Sequence, residues 1–272
     1  MKLLIRSLQL DIEFLALQIG ILAKLEFIAK KYLLLIRNLL FGFDAGKSFI
    51  YLFRRKYFFD NVYGIAFLQC VYVDNFVLKE HIPANPIVID VGANVGQFYF
   101  FCKSLLHAKK VYSFEPIDQS FHLLESGADK SDGLYNFAVT TKEHLQMYVP
   151  KTSLMASSLK TENPIYETVF ARGISIDSIP EIKDEKKIDL FKVDTEGSEL
   201  DVLKVSQETI KKSRHILIET SVARVSSGDI IEVFDFLKNL IPNIKILWIG
   251  RPYVFKRGVV DAVDVLFYNN SL

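Results

Sequence analysis

The segment Asp90-Val91-Gly92-Ala93-Asn94-Val95-Gly96-Gln97 sets two glycines four positions apart behind an apolar run. Gly92 and Gly96 carry no Cβ, so the backbone there can turn sharply and come close to a ligand. A helix opening at Val95–Gln97 would offer N–H groups to a carboxylate or phosphate. Asp90 could balance a cationic group such as an amine. Nineteen positions past Gly96, Glu115 closes the run Val111-Tyr112-Ser113-Phe114, and a carboxylate so placed can accept from both ribose hydroxyls. Loop and acid together point to an adenosine-containing ligand.

A second acidic stretch runs from Asp189 to Glu199, off an apolar strand and into a helix. Asp194 and Glu196, with Glu219 at the end of the next strand, are the candidate catalytic groups. A carboxylate near the reacting oxygen can take the proton of a hydroxyl. The same oxygens would suit magnesium or manganese; direct base chemistry ranks ahead, and no metal is assigned. Glu199 and Asp201 fit helix capping, with Ser198 and Asp201 as the capping box.

The dinucleotide fingerprint has a third glycine three residues after the second. Here that position is Tyr99, and a bulky residue fits a shorter ligand without pyrophosphate. The expected cofactor is therefore S-adenosylmethionine. An adenosine-ligand-binding protein of the same fold without turnover, or an NAD-linked oxidoreductase, are the alternatives.

These residues need a frame. From Pro86 onward, short apolar runs alternate with helical patterns, as in a mostly parallel sheet. The strands expected are Ile87–Val91, Lys110–Glu115, Leu134–Val139, Ile188–Asp194, His215–Thr220, Lys245–Ile249 and Val263–Tyr268. Helices are expected near Val95–Leu106, Gln119–Ser126, Glu199–Lys211 and Asp229–Leu240. No helical pattern separates the last two strands, and Gly250-Arg251-Pro252 and Arg257-Gly258 read as turns. The fold class is thus α/β: a Rossmann-like, doubly wound, seven-stranded sheet with an antiparallel last strand, which favours a methyltransferase over the all-parallel dinucleotide fold. The domain spans 83–272 behind an extension, 1–82. In that extension, Ser7 to Phe41 has helical apolar spacing, with Lys24, Lys30, Lys31 and Arg37 interrupting it. It reads as a helix or broken helix packed on its own domain or on a second subunit, or as a basic amphipathic helix on a membrane. Residues 47–82, rich in Tyr, Phe and Val, read as short strands.

Composition narrows the classes. Of 272 residues, 33 are Lys or Arg and 32 Asp or Glu, for a net charge of +1. That balance argues against a nucleic-acid partner bound through bulk charge. Cys70 and Cys102 make neither a disulfide framework nor a thiolate cluster, and the five histidines show no zinc spacing. The longest charge-free run, Asn61 to Val73, falls short of the ~18 residues a bilayer span needs. No signal peptide is evident, so a cytoplasmic location is expected, with peripheral contact on the inner membrane surface as the variant.

At these motifs the chain resembles the FkbM-type methyltransferases. The resemblance covers about Pro86 to Thr220. It rests on Val88 to Gln97, Phe114-Glu115-Pro116, Ser175-Ile176-Asp177-Ser178-Ile179, and above all Ile188 to Leu200, followed by Ile216-Leu217-Ile218-Glu219. It implies methyl transfer from S-adenosylmethionine to an oxygen of a sugar, glycan or natural-product hydroxyl. Glu115 would be the ribose-binding acid, and Asp90, Gly92, Asn94 and Gly96 the cofactor loop. Asn136 and Ala138 match the pattern after the third strand, beside the adenine edge. Asp177 lies in a short acidic motif with a turn or capping role as an equal reading. The insert Thr140 to Arg172, with Met155-Ala156-Ser157-Ser158, is read either as an acceptor-binding lid or as a surface loop.

Overall fold

The computed structural model describes residues 2–42, 49–59, 64–150, 166–222, 229–254 and 259–272. Two helices open the chain, α1 (Lys2–Ala16) and α2 (Ile21–Phe41). A hairpin of β1 (Phe49–Leu52) and β2 (Arg55–Phe58) follows, then α3 (Gly64–Asp74) and α4 (Leu78–His81). The main sheet starts with β3 (Ile87–Val91), α5 (Gln97–Leu105), β4 (Lys110–Phe114), α6 (Asp118–Gly127) and β5 (Gly133–Tyr135). An excursion of β6 (Ala138–Val139), β7 (His144–Pro150) and β8 (Tyr166–Ile174) leads to α7 (Pro180–Lys183), β9 (Ile188–Val193), α8 (Glu199–Lys204) and α9 (Gln207–Lys211). The chain closes with β10 (Ser213–Ser221), α10 (Ile230–Leu240), β11 (Ile244–Ile249), β12 (Tyr253–Val254) and β13 (Val260–Asn269).

The large sheet runs β5-β4-β3-β9-β10-β13-β11, with β12 added to β13. Its first five strands are parallel, and β13 is antiparallel to both β10 and β11. The reversed last strand is therefore present, and β12 makes an eighth. Strand order turns back between β3 and β9, where open α/β sheets bind ligands beyond their carboxyl ends.

Alternation along each strand fills two cores. Val88, Val111, Leu190, Leu217 and Leu266 face α5, α6 and the N-terminal helices. Ile89, Val91, Phe191, Val193, Ile216 and Ile218 face α8, α9 and α10. Phe14 and Phe27 belong to the first of these cores, so the extension shares an apolar interior with the sheet.

The N-terminal segment takes the broken form, two helices parted at Leu17–Gly20, with the Lys24 ammonium donating to the carbonyls of Leu15 and Leu17. Three expectations change. Gly64–Asp74 and Leu78–His81 are helices rather than strands; in the first, Ile65, Leu68, Gln69 and Tyr72 recur at helical spacing on the buried side. The third strand divides. Gly133–Tyr135 stays in the main sheet, while Ala138–Val139 pairs with β8 in a separate three-stranded sheet. The Glu199–Lys211 helix also divides, at Val205–Ser206, and Asp177 accepts from the Glu208 and Thr209 N–H groups that open α9. Asp177 is therefore a cap. Within the insert, β7 and β8 form an antiparallel pair; Met155–Ser158 and the Arg257-Gly258 turn lie outside the described residues.

Candidate active site

The carboxyl ends of β3, β4, β9 and β10 open into a cavity of about 530 Å³, ample for a nucleoside-sized ligand. Gly92, Asn94, Glu115, Ala138, Asp194, Glu196 and Glu219 all line it. Seven candidates from different strands thus reach one space.

The loop after β3 is held by its own backbone. The Gly92 and Ala93 N–H groups both donate to the Phe114 carbonyl at 3.0 Å. Gly92 has φ +81, and a Cβ there would sit 1.8 Å from the Asp194 carbonyl oxygen. Only glycine lets the ends of β3 and β9 approach this closely. Gly96, at φ +93, begins α5, and a Cβ there would meet Leu124 at 2.8 Å. Val95 N–H donates to the Asn94 side chain and Gly96 N–H to the Ala93 carbonyl. Of the three N–H groups expected to meet an anion, two are thus engaged internally.

Glu115 is buried at 5% exposure. Its two oxygens accept from Asn94 N–H at 2.8 Å and Ile117 N–H at 2.9 Å. Burial raises its pKa to about 7 against those two donors. Each oxygen has a second lone pair, so a ribose diol fits the group's remaining acceptor capacity. The Asn136 amide donates to the Glu115 carbonyl at 3.1 Å and lies outside the cavity lining. It braces the strand end, while Phe137 and Ala138 reach the cavity.

Asp90 is fully buried and also lies behind the lining. Its partner is Lys192, whose ammonium sits 3.3 Å from both Asp90 and Asp194. Burial pushes the Asp90 pKa up more than Lys192 pulls it down. For Lys192, burial works against the charge, but Asp194 and Asp90 outweigh it and hold the ammonium firmly protonated.

Asp194, Glu196 and Glu219 each offer an oxygen within 4.8 Å of the others. Such a trio can share a proton or surround a divalent cation. Glu196 has φ +54 and is followed by Gly197 at +116. A left-handed non-glycine costs roughly 1 kcal/mol. Glu199 holds the turn, accepting from Thr195 N–H, the Thr195 hydroxyl and Gly197 N–H at 2.9–3.1 Å. The expected capping by Ser198 is absent from the start of α8, where the serine makes no side-chain cap bond. Glu199 ties the turn that precedes the helix.

The match to a known family is specific at these residues: the Methyltransferase FkbM domain fits residues 90–241, more than half the chain. The chain belongs to the FkbM methyltransferase family. It is a methyltransferase, and S-adenosylmethionine is its methyl donor. Among curated proteins it is similar to Methyltransferase sdnD of Sordaria araneosa, 25% identical over 202 residues, 58% of this chain and 77% of that protein. Hexuronic acid methyltransferase AglP of Haloferax volcanii is 24% identical over 146 residues, 53% of this chain and 59% of that one. Among solved structures, M. jannaschii TYW2 in complex with AdoMet aligns with a TM-score of 0.45 at 11% identity, covering 84% of this chain and 88% of that one. The family assignment stands on the sequence match.

Several groups in this methyltransferase's cavity escaped the sequence reading. Lys192 is the neighbour of Asp90 in the β3–β9 register. Asp264 faces Glu219 across β10–β13, and burial, then Asp194, raise its pKa to about 7. The Tyr253 hydroxyl donates to Asp264 at 3.5 Å. Asp74 and Asp261 line the cavity too. The signal was in the text: Asp261 and Asp264 interrupt the otherwise apolar run Val259 to Phe267. Tyr99, used to argue against a pyrophosphate, points elsewhere. It is buried, its hydroxyl donating to Asp132 and accepting from Asp129 N–H at 2.7 Å.

Proposed function

We propose that the enzyme methylates a hydroxyl oxygen of a saccharide, glycan or glycolipid. The observation that carries this reading is the convergence of Asp194, Glu196 and Glu219 in the cavity that Gly92, Ala93, Asn94 and Glu115 also line. Bound S-adenosylmethionine supplies an electrophilic methyl group, and it leaves as S-adenosylhomocysteine when the C–S electron pair stays on sulfur. Gly92, Asn94 and Glu115 hold the donor at the β3 and β4 ends, while Gly96, outside the cavity lining, lets α5 start against Leu124. Asp90 acts from behind, fixing Lys192. Asn136 and Ala138 shape the adenine side. One carboxylate of the trio takes the acceptor's hydroxyl proton as oxygen bonds to carbon. The others hold further hydroxyls, for which carboxylates are apt acceptors. The hexuronic acid methyltransferase among the relatives agrees with a sugar acceptor.

Transfer of radiolabelled methyl to a glycan and glycolipid panel tests the proposal. Asp194→Asn should lower kcat by roughly a hundredfold or more, in the range of general-base loss, with S-adenosylhomocysteine affinity unchanged. Normal turnover in that variant would hand the proton to Glu196 or Glu219. Activity abolished by chelation and restored by magnesium would assign the trio to a cation. Transfer to an amine or carbon acceptor alone would overturn the hydroxyl reading.

A further inference from the structure

The N-terminal helices are patterned inside out. On α2, the side facing the protein carries Lys24, Phe27, Lys31 and Leu34, all buried, with Lys31 only 1% exposed. The opposite side carries Leu22, Leu25, Leu33, Ile36 and Leu40, each 53–79% exposed, with Ala29 filling the repeat. Steps of three and four residues make these one stripe, about 27 Å long at the helical rise. On α1, Leu8, Ile12 and Leu15 continue the pattern outside, while Asp11 and Phe14 are inside. A helix whose outer side meets water places its leucines inward and its lysines outward. Here the arrangement is reversed.

Charge indicates what meets the stripe. Residues 1–58 hold ten Lys and Arg against four Asp and Glu, a net +6, while the rest of the chain holds 23 against 28, a net −5. Arg37 on α2 and Arg54 in the β1–β2 turn are exposed. Exposed aromatic residues stand near them: Phe41 ends α2, and Phe49 and Tyr51 lie on β1, whose Tyr51 carbonyl accepts from Lys30 of α2. No helix is long and apolar enough to cross a membrane, among the described residues.

We infer that α1, α2 and the β1–β2 hairpin form a docking surface for an anionic phospholipid bilayer, with the leucine stripe set into the acyl boundary and the cations among the headgroups. Apolar burial and attraction to anionic lipid act together in such surfaces, and aromatic side chains favour the interface. A second copy fits less well, since a two-fold pairing sets the same +6 region against itself. The link to the cavity is α3. Its Gln69 and Tyr72 pack on α1 and α2 through Asp11, Phe14 and Phe27, and its Phe67, Cys70 and Asp74 line the cavity. A single helix therefore separates the lipid-facing side from the site.

The full chain is floated with phosphatidylcholine vesicles, with and without phosphatidylglycerol, and its mass in solution is measured by sedimentation velocity. The expected result is a monomer recovered with the phosphatidylglycerol vesicles, with recovery falling roughly tenfold or more at high salt. Leu33→Glu with Ile36→Glu should abolish recovery. Arg37→Glu with Arg54→Glu, which leaves the packing untouched, should weaken it, and both variants should keep S-adenosylhomocysteine binding. Equal recovery on both vesicle types, or none on either, overturns the inference. So does a dimer that the leucine variant dissolves without any vesicle binding.

Discussion

Two buried lysines divide the molecule into a part that holds and a part that works. In the N-terminal pair of helices, Lys31 donates to Asp11 at 2.7 Å and to Gln69 at 2.9 Å. Asp11 also accepts from the Tyr32 hydroxyl at 2.6 Å and the Gln69 amide at 2.9 Å. Burial alone would raise the Asp11 pKa, but Lys31, Tyr32 and Gln69 outweigh it and hold it below the usual carboxylate range. One cation meets one anion, with neutral donors completing the shell. At the cavity, Lys192 is shared at 3.3 Å by two aspartates, and one oxygen of Asp90 has no hydrogen-bond partner. Beyond it lie Glu196, Glu219, Asp261 and Asp264. Among these, Asp264 is held up to about 7 by burial first and by Asp194 second, the kind of shift that sites of proton chemistry show. The first network joins α1, α2 and α3; the second borders the cavity.

Lys31→Met breaks the closed network. It leaves buried Asp11 without its cation and should cost about 3–5 kcal/mol in urea-induced unfolding, with S-adenosylhomocysteine affinity of the folded fraction unchanged. Lys192→Met breaks the open network. Asp90 can take up a proton, so the expected stability loss is smaller than for Lys31→Met. Turnover should fall by roughly a hundredfold, about 3 kcal/mol of barrier. If the two variants lose stability alike and turnover is spared, the contrast between the sites is wrong.

Glu115→Ala should weaken S-adenosylhomocysteine binding by about 1–3 kcal/mol in calorimetry, the loss of hydrogen bonds to a charged acceptor. The pH dependence has a definite sign. With its pKa raised to about 7 by burial, Glu115 is protonated in acid, where it has fewer lone pairs for ribose hydroxyls. Affinity should therefore rise with pH and level off above about 7. The stability of the free protein runs the other way. The folded state holds this proton more tightly than the unfolded chain, so stability falls as pH climbs from the ordinary carboxylate range through 7. Affinity that is flat across this window would remove Glu115 from the ribose contact. The smallest effect is a control. Asp177 spends its oxygens on Glu208 N–H, Thr209 N–H and the Thr209 hydroxyl. Asp177→Ala should cost about 1 kcal/mol of stability and leave turnover alone.

The parallel core was legible because Ile87–Val91, Ile188–Val193 and the middle of β10 are largely buried and read as apolar runs broken only by Asp90, Asp189 and Lys192. The glycine loop was legible because a positive φ and a close approach leave few residues to choose from. What escaped was pairing across distance. Lys192 means little until β9 lies beside β3 in register with Asp90, and Asp264 until β13 runs back along Glu219. Residues 64–74 misled through composition, since Phe67, Tyr72 and two valines favour strands; packing of Ile65, Leu68 and Tyr72 decided for a helix. A broken N-terminal helix was among the readings; the contact of Lys24 with the Leu15 and Leu17 carbonyls at that break is not one that spacing shows.

A crystal structure with S-adenosylhomocysteine tests the central claim most directly. The ribose hydroxyls should sit on the Glu115 carboxylate, the backbone of Gly92–Asn94 against the ligand, and the sulfur should turn toward Asp194, Glu196 and Glu219. A ligand whose ribose sits away from Glu115, or whose sulfur faces away from those three carboxylates, would contradict it.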